Sequence, residues 1–162
     1  MPEEFAATMH SSIMWEPKEN VLRIAADISS DEWLAIFLNH ELSHVYDFLF
    51  GGENPNDEKQ WIDGEIKAHQ LECQLIEKWM ADAYDKLIVE GLPLWRAEDK
   101  KRLIDLGRKL FPPPSSSDYA QTLAQAGLLA CIAFEDAKRK EGDYQSAYRK
   151  LESMSSSNMA PR

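Results

Sequence analysis

The sequence has no apolar run long enough to span a bilayer. Hydrophobic residues make up 44% of the chain, but Asn39 and scattered charges break every stretch short of the roughly 18 residues a membrane helix needs. It has no basic surplus either. Eighteen Lys and Arg stand against 28 Asp and Glu for a net charge of −10, and no basic block of five or more residues occurs, so a phosphate backbone is repelled rather than gripped. These absences set aside a membrane span and a nucleic-acid partner. The opening residues, Met1-Pro2-Glu3-Glu4-Phe5, lack the positive and apolar regions of a cleavable export signal; the expectation is a cytoplasmic protein, or one secreted by a route that needs no signal peptide. Cysteine is scarce. Cys73 and Cys131 both fall among apolar residues of helical pattern, which reads as two free thiols acting as small hydrophobes. No internal repeat is visible, so a solenoid is excluded.

What the 162 residues do hold suits one domain with a buried core. Residues 12–15 and 21–28 carry β-branched and apolar residues around the turn formers Glu16-Pro17-Lys18-Glu19-Asn20, which predicts an amino-terminal β-hairpin with Leu22, Ile24, Ala26 and Ile28 on one face. Ser29-Ser30-Asp31-Glu32 then offers a helix cap with acid in the first turn, and Gly51-Gly52 a stop. A loop through Pro55 leads to a long helical stretch, about 60–89, ended by Gly91 and Pro93, and a third helix fits 95–111. Residues 112–117, Pro112-Pro113-Pro114-Ser115-Ser116-Ser117, read as a stiff spacer. The division expected is a core over 1–111, the spacer, a helical extension over 118–154 packed on that core, and a frayed tail over 155–162. Trp33, Leu34, Phe37, Leu38, Val45, Phe48 and Leu49 lie around most sides of the first helix, which predicts that it is buried at the centre of the domain. In the extension, Ala120, Leu123, Ala124, Gly127, Leu128, Cys131 and Phe134 keep helical spacing with small residues suited to close packing.

Chemistry concentrates in the first helix, at His40-Glu41-Leu42-Ser43-His44. Two histidines four positions apart are rotated by about 400°, so both imidazoles leave one helix face a turn apart and can close on a single Zn²⁺. A glutamate beside them can take a proton from water that the metal acidifies. Catalytic zinc takes a third protein ligand. A third histidine six residues after His44 is absent, because that position is Phe50, and Asp47 stands where a metzincin has glycine. Glu65, on the next helix, is favoured, since the loop between lets two helices pack antiparallel with Glu65 facing the pair. His69 and Glu72 are alternative third ligands. Asp47 either fixes a histidine tautomer, serves as a ligand itself or is a solvated surface acid. An oxyanion donor is expected as well; Tyr46, Tyr84, Tyr119, Tyr144, Tyr148 and His10 are candidates, and the sequence singles out none.

The string 40–44, followed after a loop by Glu65-Ile66-Lys67-Ala68, resembles the gluzincin zinc metallopeptidases over about residues 12–80. The resemblance implies an α+β fold, mostly α-helical, with a zincin-like core, a small amino-terminal hairpin and a helical carboxyl-terminal part. It implies one Zn²⁺ per chain held by His40, His44 and Glu65, with Glu41 as general base and proton shuttle and a protein or peptide as substrate along the hairpin's edge strand. The small size resembles the minimal metallopeptidase domains of bacterial toxins and secreted effectors; no inhibitor or immunity partner is identified. One departure stands out. Many gluzincins carry an acid four positions after the ligand glutamate, and here that position is His69. Rival readings are a zincin-fold binding or adaptor protein without turnover, a zinc amidase acting on cell-wall peptides, and a helical interaction protein in which the string is fortuitous and no zinc binds.

Overall fold

The computed structural model describes residues 14–16, 21–23, 28, 30–52, 54, 56–114 and 118–156. The body is six helices: α1 (Asp31–Phe50), α2 (Glu58–Trp79), α3 (Ala81–Arg96), α4 (Lys100–Leu110), α5 (Asp118–Arg139) and α6 (Tyr144–Ser156). This all-helical body overturns the expected α+β class. The strand described is a ladder of three pairs, β1 (Met14–Glu16) antiparallel to β2 (Val21–Arg23), with Met14 opposite Arg23. Among the described residues these two strands pair only with each other, and a lone two-stranded ladder makes no packed layer, so the edge-strand role attached to a hairpin falls with it. The turn at 17–20, Ile24, Ala26, His10, the serines 115–117 and residues 157–162 lie outside the described residues.

Side-chain caps start three of the helices. The Ser30 side chain accepts a hydrogen bond from the Trp33 N–H to cap α1, with Asp31 and Glu32 in the positive first turn, and the Gly51 N–H closes the helix on Asp47. Asp57 caps α2 and Asp99 caps α4 in the same way. The long helix expected over 60–89 is two helices. Met80, at φ −134° and ψ 50°, leaves helical geometry between α2 and α3. Gly91 and Pro93 break nothing and lie inside α3. A Cβ on Gly91 would stand 2.7 Å from Ile132 Cδ1, so glycine here lets α3 and α5 approach closely.

The core gathers Trp33, Ile36, Ile76, Leu87, Trp95, Cys131 and Ile132, all fully buried. Trp33 packs against Phe37 and Phe111, and its indole N–H donates to the Pro112 carbonyl at 3.0 Å, tying the proline segment to α1. At the other end α6 is fastened by Gln145 to Asp63 at 2.8 Å and by Lys150 to the Trp95 carbonyl at 3.1 Å. The first helix is not the buried centre of the domain. It buries Trp33, Ile36, Phe37 and His44 while Leu42, Tyr46, Leu49 and Phe50 face solvent. Among the described residues no helix is long and apolar enough to cross a membrane.

Candidate metal centre

The side chains of His40 and His44 leave one face of α1 and meet α2. Their Nε2 atoms lie 3.3 Å apart. Glu65 faces them from α2, with one carboxylate oxygen 2.8 Å from His44 Nε2 and the other 3.8 Å from His40 Nε2. Two ligands each about 2.0–2.1 Å from one tetrahedral ion stand about 3.4 Å apart, which the 3.3 Å between the two imidazole nitrogens matches, and one ligand atom from each of His40, His44 and Glu65 lies within 4.8 Å of the others. The donor set of two imidazoles and a carboxylate therefore fits a single divalent ion. The ring of Trp61 stacks on His44 at 5.4 Å and 10°, holding its plane.

Both remaining third-ligand candidates sit on the same cluster. Residues 65, 69 and 72 are four and three positions apart, which puts Glu65, His69 and Glu72 on one face of α2. Glu72 reaches beneath His40, its Oε1 2.5 Å from Nδ1, and its Oε2 lies 3.0 Å from His69 Nδ1. Despite that approach Nδ1 of His40 makes no aligned hydrogen bond. A Cβ on Gly127 of α5 would stand 2.8 Å from Glu72 Oε2, so the missing side chain at 127 is what leaves the carboxylate its place.

The electrostatics follow from this crowding. Burial works against charge on His40, but Glu72 and then Glu65 hold its proton and raise it well above the ordinary imidazole value. Burial likewise works against ionised Glu65 and Glu72; the histidines prevail, His40 and His44 holding Glu65 well below the usual carboxylate range, and His40 and His69 lowering Glu72 to about 2.

Glu41 lines a cavity of about 220 Å³ together with His40, Glu65, His69 and Glu72. The opposite wall comes from α5 and α6, through Leu123, Ala126, Tyr148, Leu151 and Glu152. Asp47 is not in the cluster: it pairs with Lys67 Nζ at 2.6 Å. Of the tyrosines, Tyr148 is buried on the cavity wall, its ring 6.1 Å from that of His69. Burial, then Glu65 and Glu152, push its hydroxyl above the ordinary phenol value. Tyr46 is exposed and lies against Phe50.

No family model, no curated protein and no solved structure matches this chain. The site therefore rests on its own residues, and the spacing that reveals the wider cluster, Glu65-x-x-x-His69-x-x-Glu72, stands in the sequence. Read as rivals for one coordination position, these residues do not announce that they gather together. Gly127 and Tyr148 carry no local motif; their part comes only from the docking of α5 and α6.

Proposed function

We propose that the chain is a zinc-dependent metallopeptidase, with His40, His44 and Glu65 as ligands and Glu41 as general base. What carries the reading is the 3.3 Å separation of the two Nε2 atoms with the Glu65 carboxylate across from them, beside a cavity that His40, Glu65 and Glu41 line. Bound there, zinc supplies Lewis acidity that polarises a carbonyl and acidifies water. Glu41, half-buried on the same wall, takes the proton from the attacking water and returns it to the leaving amine. Glu72 in contact with His40 and Trp61 stacked on His44 hold the two rings so that little reorganisation is needed on binding. At about 220 Å³ the cavity is smaller than the pockets that enclose whole drug-sized ligands. It suits one side chain and the scissile amide, with the rest of a peptide lying outside.

The test is metal content beside cleavage. Elemental analysis of the wild type is expected to find zinc that is largely lost in His44→Ala. Against a mixed peptide library, Glu41→Gln is expected to keep its zinc and lose about 10²–10⁴-fold in cleavage rate. Full activity in Glu41→Gln would remove the base role. A wild type that stays folded and takes up no zinc would remove the enzyme.

A further inference from the structure

The cluster offers more ligand atoms than one tetrahedral ion uses. His40 Nε2, His44 and Glu65 make one set. The other ring nitrogen of His40 faces a second set, in which Glu72 Oε1 lies 2.5 Å from Nδ1 and Glu72 Oε2 lies 3.0 Å from His69 Nδ1. Ligand atoms of His40, His69 and Glu72 all fall within 4.8 Å of one another. Among the described residues, His40 Nδ1 is the buried side-chain polar atom that has no hydrogen-bond partner. Its neighbour Glu72 stands close enough to attract it but off the line of a ring N–H. A buried nitrogen whose close carboxylate neighbour is misaligned for hydrogen bonding, yet also contacts a second imidazole, has the arrangement of a ligand set more than that of a satisfied network.

We propose that His69, Glu72 and Nδ1 of His40 form a second divalent-cation position adjoining the first, with His40 shared between them; this rests on the metal reading of the first set. Two imidazoles and one carboxylate suit zinc and neighbouring first-row ions. With both positions filled, His40 would offer one ring nitrogen to each, both ring protons having gone to solvent. Each buried carboxylate then faces its own cation, Glu65 the first and Glu72 the second. A whole imidazole ring lies between the positions, so they stand farther apart than the roughly 3.5–4 Å at which two ions clamp one substrate oxygen. The second ion fixes His40 and the local charge and does not touch substrate.

Counting ions decides it. The full chain, stripped of metal, is dialysed against Zn²⁺ alone and the bound ion measured by elemental analysis, with Co²⁺ absorption as a readout of ligand geometry. His44→Gln removes a ligand from the first position only, and His69→Gln from the second only; His69→Asn serves if His69→Gln loses its helical circular dichroism. Two ions in the wild type and one in each variant, with different Co²⁺ spectra in the two variants, is the expected result. One ion in the wild type and in His69→Gln, with none in His44→Gln, would overturn the second position and leave the metallopeptidase reading standing. One ion in the wild type and in His44→Gln, with none in His69→Gln, would overturn the first position and uphold the second. No ion in the wild type would overturn both.

Discussion

Gly127 contributes no side chain, yet it bears on the proposed metal centre, because a Cβ there would lie 2.8 Å from Glu72 Oε2. In an ordinary helix Gly→Ala would stabilise by about 1 kcal/mol through propensity. Here the methyl must displace a buried carboxylate that touches both His69 and His40. Gly127→Ala is expected to weaken zinc binding about tenfold or more while leaving the helical fold intact, measured by competition with a chromophoric chelator. An unchanged affinity would show that Glu72 has no part in positioning His40. At this scale the sequence was informative where the geometry is local. The four-residue spacing of His40 and His44 is enough to place both rings on one face of α1, and Glu65 meets them from α2. Asp47 was ambiguous because its partner, Lys67, lies on another helix, and Glu72 gains its place from a glycine more than fifty residues further on.

Helix ends show the same division. The caps of α1 follow from Ser30 and Gly51, side-chain and backbone chemistry that operates over four residues. The break at Met80 has no such mark: neither glycine nor proline stands there, and the turn allows α3 to pack beside α2 in the core. Conversely, Gly91 and Pro93 look like breakers but lie inside α3, where the close approach of Ile132 explains the glycine. The amino-terminal alternation suggested a layer of sheet, but the paired segments described are three residues each, and packing energy resides in the helices. The end of α5 offers a test. Glu141 adopts φ 52° while the Gly142 N–H closes back on the Ala137 carbonyl, so a residue with a Cβ occupies the left-handed position that glycine fills at small cost. Glu141→Gly is expected to raise stability by about 0.5–1 kcal/mol, read as a higher denaturant midpoint with an unchanged slope. A lower midpoint would mean that the Glu141 side chain contributes more than its backbone strain costs.

Across the whole molecule, α5 joins the proposed metal centre to the hydrophobic core and also carries the ion pairs that fasten its far end. Asp136 accepts from Arg96 at 2.8 Å and lies 3.2 Å from Lys140. Burial works against its charge, but these two cations hold its carboxyl below the usual range. The folded value is thus below the unfolded one, so the unfolded chain binds the proton more readily. The stability contributed is present above the unfolded pKa of about 3.9 and is lost as pH falls through the folded value. Wild type is expected to lose stability on acidification below about pH 4 more steeply than Asp136→Asn, the two curves converging at the acid end; parallel curves would show that the pairing is already lost to solvent. The order of the elements along the chain has a further consequence, one of time. The helices that bear the proposed ligands, α1 and α2, precede the two that wall the cavity, α5 and α6. At about 5–20 residues per second, a ribosome delivers His40, His44 and Glu65 several seconds before Tyr148 and Leu151. For that interval the ligand face of a nascent chain lies open to any metal ion or chaperone that reaches it, so loading can precede closure.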